Sequence, residues 1–220
     1  VTSLNLHDLV LNGDIDGDGR NDRDFAVYSA NQTNTTVSGL DLDLYQCEVR
    51  NYAKKAVYLT NAVELAIEEC LFENNATADM NDPNTYGDYT IDLNLMNVQA
   101  GDLYITDTTF EGVCGDKAVI KVSARGGASD TWTGQDIPAG TQTSVGYLEI
   151  SGCTFSDDPA AAAHVNIGTD SKADSGKIPG EAGVTFAENT TGGFEVTIAE
   201  NVTDVTVNSA YQTYKADDGK

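Results

Sequence analysis

The chain has 220 residues, 35 acidic and 12 basic, for a net charge of −23, and 40% of it is hydrophobic. That balance excludes a nucleic-acid binder, which needs clustered Lys and Arg against phosphate, and it excludes docking on an anionic membrane surface. No apolar run reaches the ~20 residues of a membrane-spanning helix.

Val1 begins an already polar segment with no leader pattern, so a mature or excised product is expected. High Asn, Thr, Gly and Asp with little Lys points to an extracellular or cell-surface protein. Sequons at Asn31, Asn34, Asn75, Asn189 and Asn201 carry little weight in a chain so rich in Asn and Thr.

In chain order, Leu9-Val10-Leu11 is read as a first rung of alternating structure. DIDGDGRNDRD follows at residues 14–24. Alternate carboxylates punctuated by Gly let a tight loop aim several oxygens at one hard cation. Asp14, Asp16, Asp18 and Asp22 are the candidate side-chain ligands, with the Arg20 carbonyl as a fifth. The segment resembles the calcium loops of EF-hands, dockerins and thrombospondin-type repeats, which implies structural calcium. It departs from them at the twelfth position, where Phe25 stands in place of an acid; Asp24 is the candidate substitute. No flanking helix pair is legible, so a sensor that opens on calcium is not expected. The competing reading is a polar turn without metal.

Beyond that loop one motif recurs. Residues 42–49 read LDLYQCEV, 65–72 LAIEECLF, 103–110 LYITDTTF and 148–155 LEISGCTF. Each fits apolar-x-apolar-x-x-Cys/Thr-x-apolar. Val184-Thr185-Phe186, with Asn189 in the Cys/Thr place, and Val205-Thr206-Val207, with Ala210 there, extend the series. The tightest step, Leu44 to Ile67, is 23 residues, enough for two extended runs and their turns. A second alternating run precedes most copies: Phe25-Ala26-Val27, Val57-Tyr58-Leu59, Ile91-Asp92-Leu93, Ile120-Lys121-Val122, Val165-Asn166-Ile167 and Phe194-Glu195-Val196. Period-2 alternation is the signal of a half-buried strand. A strand that buries one face needs copies above and below it, so the repeats predict a stacked solenoid with at least two strands per coil.

Stacking places equivalent residues ~4.8 Å apart. Cys47, Cys70, Thr108, Cys153 and Asn189 then form one inward column. Cys47 and Cys70 fall on adjacent rungs, within reach of a disulfide; buried free thiols are the simpler reading. The pattern resembles the right-handed parallel β-helix family, which includes pectin-degrading enzymes, phage tailspikes and bacterial surface proteins. The resemblance implies an all-β right-handed parallel β-helix of about six coils with loop insertions. The chain is read as one domain: residues 1–24 an N-terminal cap with the calcium-like loop, 25–210 the coils, 211–220 a tail.

Two insertions, residues 123–146 and 168–183, leave the same corner on neighbouring coils. The first holds Trp132, the one tryptophan, with Asp130 and Asp136; the second holds Lys172. Loops on a rigid scaffold are common binding sites, and Trp132 is a candidate for stacking on a sugar ring or anchoring a protein partner. It could equally fold back over the coil. The insertion 76–89, with Tyr86 and Tyr89, leaves another corner and is read as a solvated loop. The outward side of the first strand column carries Tyr58, Asp92, Lys121 and Asn166. The resemblance makes such a column an active groove in polysaccharide-cleaving members, and Tyr58, Asp92 and Lys121 are candidate ligand contacts. A surface ion pair between Asp92 and Lys121 is the plainer account. His164 is read as a surface residue.

The expected function is therefore a non-enzymatic extracellular module, an adhesin stalk or a glycan- or protein-binding unit stabilised by calcium. Two rivals stand beside it. One is a fibre or surface-layer subunit joined head to tail. The other is a polysaccharide lyase or glycoside hydrolase, for which no convincing Arg, His or paired-Asp constellation is legible.

Overall fold

The computed structural model describes residues 2–19, 21–30, 39–77, 89–96, 98–112, 114–125, 143–156, 163–168, 183–189, 194–198, 202, 205–207 and 212–216. The strands come in triplets. β1 (Ser3–His7), β2 (Val10–Asn12) and β3 (Arg23–Ser29) make the first coil, and β4 (Leu40–Tyr45), β5 (Glu48–Arg50) and β6 (Tyr52–Leu59) the second. β7 (Ala62–Glu68), β8 (Leu71–Glu73) and β9 (Ile91–Met96) follow, then β10 (Gln99–Thr106), β11 (Thr109–Glu111) and β12 (Ile120–Arg125). β13 (Ser144–Ser151), β14 (Thr154–Phe155) and β15 (Val165–Ile167) complete the fifth. β16 (Gly183–Ala187), β17 (Phe194–Ile198), β18 (Val205–Val207) and β19 (Gln212–Ala216) end the series.

Every third strand pairs in parallel. The first sheet runs β1-β4-β7-β10-β13-β16-β18, the second β2-β5-β8-β11-β14 and the third β3-β6-β9-β12-β15-β17-β19. The protein is thus a three-sheet parallel β-solenoid of about six coils. The repeated motif holds two strands, not one: its second half is the short second sheet, which alternation alone did not separate. The stretch read as a cap already carries β1 and β2, and the stretch read as a tail carries β19.

The core follows from register. In the first sheet Leu42, Leu65, Leu103, Leu148 and Val184 stack in one column. Leu44, Ile67, Ile105, Ile150 and Phe186 stack in the next, and all ten are at most 1% exposed. The second sheet contributes Phe72, Phe110 and Phe155, whose rings stack with centroids 5.2 and 5.1 Å apart. Each such ring removes enough apolar surface from water to contribute ~1.5–3 kcal/mol, and offset stacking adds ~0.5–1.5 kcal/mol. In the third sheet the rungs of Val57, Ile91, Ile120, Val165 and Val196 align with Val27. Phe25 pairs with Lys55 and Phe194 with Gln212, so these two motif-initial residues lie two positions off the column assumed from sequence.

The corner between first and second sheets explains the Cys/Thr position. The preceding residue, Asp8, Gln46, Glu69, Asp107, Gly152 or Glu188, has φ of 49 to 65° and turns the chain within one step. A side chain there is strained by ~1–2 kcal/mol, yet only one coil uses Gly. A Cβ on Gly152 would meet Asp107 Oδ1 at 2.1 Å, so a side chain there needs the Asp107 carboxylate to move aside.

After five of these six turns the next residue points inward and supplies a donor; after Asp8 it is Leu9, which is exposed. Cys47 Sγ donates to Leu6 O (3.2 Å), Cys70 Sγ to Leu44 O (3.4 Å) and Thr108 Oγ1 to Ile67 O (3.5 Å). Cys153 Sγ donates to Ile105 O (3.4 Å) and Asn189 Nδ2 to Ile150 O (2.9 Å). Each serves the same carbonyl of the coil before it, a ladder of the kind buried backbone demands. None of the four cysteines is in a disulfide. Burial pushes the Cys70 thiol up to about 11 and the Cys153 thiol up to about 12, so neither is a ready nucleophile. Asn75 serves the neighbouring corner in the same way, donating to Val49 O (2.7 Å) and accepting from Tyr52 N. Asn75 and Asn189 are at most 1% exposed. Their amides are committed inside the fold, which removes both as glycan acceptors in the native state.

Candidate functional site

Two clusters on the described residues have the chemistry of a site. The first is the acidic loop between β2 and β3. Its neck is closed by Asp22 N–H donating to Gly13 O (2.9 Å), and Gly13 N–H is held by Arg50 O (2.9 Å). A Cβ on Gly13 would sit 2.1 Å from Asn51 O, so the neck needs glycine. Gly17 and Gly19 take φ of 75 and 84°, which lets the loop fold onto its own carboxylates. Asp14 accepts from Gly17 N (2.8 Å) and Gly19 N (3.1 Å), and Asp16 accepts from Asp18 N (3.2 Å). Carboxylate oxygens of Asp14, Asp16 and Asp18 lie within 4.8 Å of one another in a mostly exposed group that could hold a metal ion.

Of the six expected ligands, these three are brought together. Asp22 Oδ2 accepts from Ile15 N (2.8 Å) and supports the loop backbone. Asp24 lies on β3 and pairs with Lys54 Nζ at 2.7 Å. Arg20 lies outside the described residues. Asn21 ties the loop to Thr77 through its amide.

The second cluster lies on the outward face of the third sheet. Tyr28, Tyr58, Asp92, Lys121 and Asn166 occupy successive rungs of one column. The Asp92–Lys121 neighbour relation is as expected from sequence, but its character is not. Asp92 is 2% exposed and Lys121 9% exposed, so this is no surface pair. Asp92 bonds first to Lys55, through Oδ2, and Lys121 Nζ stands 3.9 Å from Oδ1. Lys55 Nζ sits 4.5 Å over the Tyr58 ring, and Lys121 Nζ sits 5.3 Å from the Tyr89 centroid. Two ammoniums, one carboxylate and two aromatic faces thus form one desolvated group. Tyr89, expected in a solvated loop, is 7% exposed and belongs to this group. The outward Oδ1 atoms of Asp92 and Asn166 are buried and accept no hydrogen bond. Lys121 occupies the rung between them and supplies the positive charge.

At the N-terminal end of the same face Phe25, Tyr28 and Tyr58 pack with centroids 4.9, 5.5 and 6.1 Å apart. His164, read as a surface residue, is half-buried with its ring 5.2 Å from Phe155. The insertions that carry Trp132, Asp130, Asp136 and Lys172 both connect the third sheet to the first, after β12 and β15. Those four residues lie outside the described residues. Lys55, Tyr89, Phe25 and Tyr28 were not singled out from sequence as contacts. Lys55 had one signal, a lysine in the alternating run that leads to Tyr58; Tyr89 had none, because it precedes β9 rather than lying in it.

Compared with protein-family models, with curated proteins and with solved structures, the chain gives no match.

Proposed function

We propose that this chain is a non-enzymatic β-solenoid module of an extracellular or cell-surface protein, of the parallel β-helix type, stiffened at its first coil by calcium. The observation that carries the reading is the convergence of Asp14, Asp16 and Asp18 in a loop with a pinned neck. Three carboxylates on one loop suit a hard cation with oxygen ligands, and water can complete a calcium shell at an exposed site. So open a site, with no all-protein cage, belongs to the weak class that fills at the ~10⁻⁴–10⁻³ M calcium met outside cells. Calcium there would neutralise part of an acidic loop and fix the connection from β2 to β3. The desolvated Lys55–Asp92–Lys121 group supports a structural role for its face. An enzyme would need its carboxylate open to a polymer, whereas Asp92 is 2% exposed and bonded to lysine. The module's partner on this reading is a glycan or a cell-surface protein met by the insertions after β12 and β15.

The test is thermal melting with and without millimolar calcium, on the parent chain and on Asp16→Asn/Asp18→Asn. The expected result is a calcium-dependent rise in Tm in the parent that the double variant loses. An equal rise in both, or none in either, removes calcium from the account.

A further inference from the structure

One column of the third sheet sets a lysine between a carboxylate and a carboxamide. Lys121 pairs in register with Asp92 on one side and with Asn166 on the other. Equivalent residues on neighbouring rungs stand ~4.8 Å apart, so both partners lie within the span of a lysine stem. Lys121 already covers one such step. Its Nζ stands 3.9 Å from Asp92 Oδ1, with 11% of the lysine side chain and 2% of the aspartate side chain exposed. Lys55 takes the other oxygen, Oδ2. On the next rung Asn166 Oδ1 is buried and accepts no hydrogen bond. A buried amide oxygen without a donor is costly to keep.

We infer that Lys121 Nζ and Asn166 Cγ join in an amide bond, which ties β12 to β15 and releases ammonia, with Asp92 as the proton carrier. The Lys121 ammonium first passes a proton to Asp92 Oδ1; in a site shut off from water, neutral forms are favoured over charged ones. The freed amine attacks Asn166 Cγ, the N–C bond forms, and the carbonyl electron pair moves onto Oδ1. Asp92 hands its proton to Nδ2 and takes one from the attacking nitrogen. The carbonyl then re-forms, the Cγ–Nδ2 bond breaks with its electron pair on nitrogen, and ammonia departs. It takes up the proton left on Asp92 as it goes. Nothing is oxidised or reduced, and no co-reactant is needed. A buried ammonium is replaced by a neutral amide, and Asp92 stays paired with Lys55.

The rival electrophile is Asp92 itself, attacked by Lys55 or Lys121 with loss of water. A carboxylate bonded to an ammonium is a poor electrophile, whereas the Asn166 amide carries no charge. The fold supplies what the reaction lacks in solution, because groups held in place react with effective molarities of ~10⁵–10⁸ M. β12 and β15 are also the strands after which the two long insertions leave, so the bond staples together the coils that carry both. This inference depends neither on calcium nor on the partner.

Mass spectrometry of the intact folded chain tests it, followed by proteolysis under denaturing conditions and peptide sequencing. The parent is expected to be lighter than its sequence by one ammonia, and to yield a branched peptide joining the segments of Lys121 and Asn166. Lys121→Arg keeps the charge without the attacking amine, and Asn166→Ala removes the carbon attacked. Both are expected at full mass with the parent's circular dichroism spectrum. Asp92→Ala, in whatever fraction folds, is expected at full mass as well. The parent's result stands whether or not a variant folds. A parent at full mass overturns the inference. So does loss of one water with the branch at Asp92, or loss of ammonia without a branch between Lys121 and Asn166. A branch formed at the parent's yield in Asp92→Ala overturns the step as written.

Discussion

The outward faces of the first and third sheets are built from the same kind of strand, and their surroundings are opposite. On the first sheet, burial alternates along β4, β7 and β13, and the outward side chains meet solvent. Asp43 pairs with His7 at 3.0 Å with a third to a half of each side chain exposed, and Tyr147 shares its hydroxyl with Glu149 and Thr185. On the third sheet, five successive residues of β9, Ile91 to Leu95, are buried on both faces. A parallel sheet covered on both sides is the common arrangement in folded proteins. The polar residues caught on that side must satisfy one another. Alternation therefore tells which way a side chain points, and something outside the strand decides whether it meets water.

The largest expected effect comes from breaking the covered side. Asp92→Ala leaves the ammoniums of Lys55 and Lys121 desolvated without their partner, which costs ~3–5 kcal/mol. Urea unfolding monitored by circular dichroism would show it as a lower midpoint. The triple variant Lys55→Met/Asp92→Leu/Lys121→Met removes all three charges together, and is expected to recover most of that loss. If Asp92→Ala is no worse than a surface change, the group is wetter than its burial indicates and the contrast between the faces fails.

Thr108→Val probes the corner that joins the first and second sheets. It keeps the shape and removes the hydroxyl that shares its one proton between Thr106 O (2.9 Å) and Ile67 O (3.5 Å) and accepts from Cys70 N at 3.3 Å. An orphaned buried amide and carbonyl cost ~1–3 kcal/mol, read from the same unfolding curves.

The thiols of that corner add a pH dependence. The folded values for Cys70 and Cys153 are raised from 9.0, chiefly by burial, to about 11 and about 12. Below pH 9 both states hold neutral thiols and stability is unaffected. As pH rises from 9 through 11, the unfolded chain ionises while the fold resists, so stability falls. Tm is expected to decline over that window in the parent and to decline less in Cys70→Ala/Cys153→Ala. The smallest effect belongs to the open face. Asp43→Asn is expected to change stability by less than ~0.5 kcal/mol, because its partner and its water remain accessible.

Most of the first sheet was legible in the sequence because its inward residues repeat without interruption: Leu42, Leu65, Leu103, Leu148 and Val184 need only be aligned. The second sheet was not, because Glu48–Arg50 and its counterparts are too short to alternate visibly. Two consecutive polar positions before each Cys or Thr did mark the corner, and the second of them is the residue at positive φ. The shifts at Phe25 and Phe194 escaped because an apolar-x-apolar triplet fits a strand in either of two registers. At the candidate sites the acidic loop was legible as a motif. Three of its carboxylates meet because Gly17 and Gly19 turn the chain, while Asp24 is drawn off by Lys54, a residue 30 positions away. The burial of Asp92 and Lys121 was illegible for the same reason: Lys55 and Tyr89 reach them through stacking, not through local sequence.

The proposal that calcium stiffens the first coil is tested most directly by amide hydrogen exchange with and without millimolar calcium. The account predicts added protection at Ile15, Gly17, Gly19 and Asp22, extending into β3, with the exchange of β9 through β13 unchanged. Equal exchange in both conditions at those loop amides, or a change spread evenly over the solenoid, would contradict it.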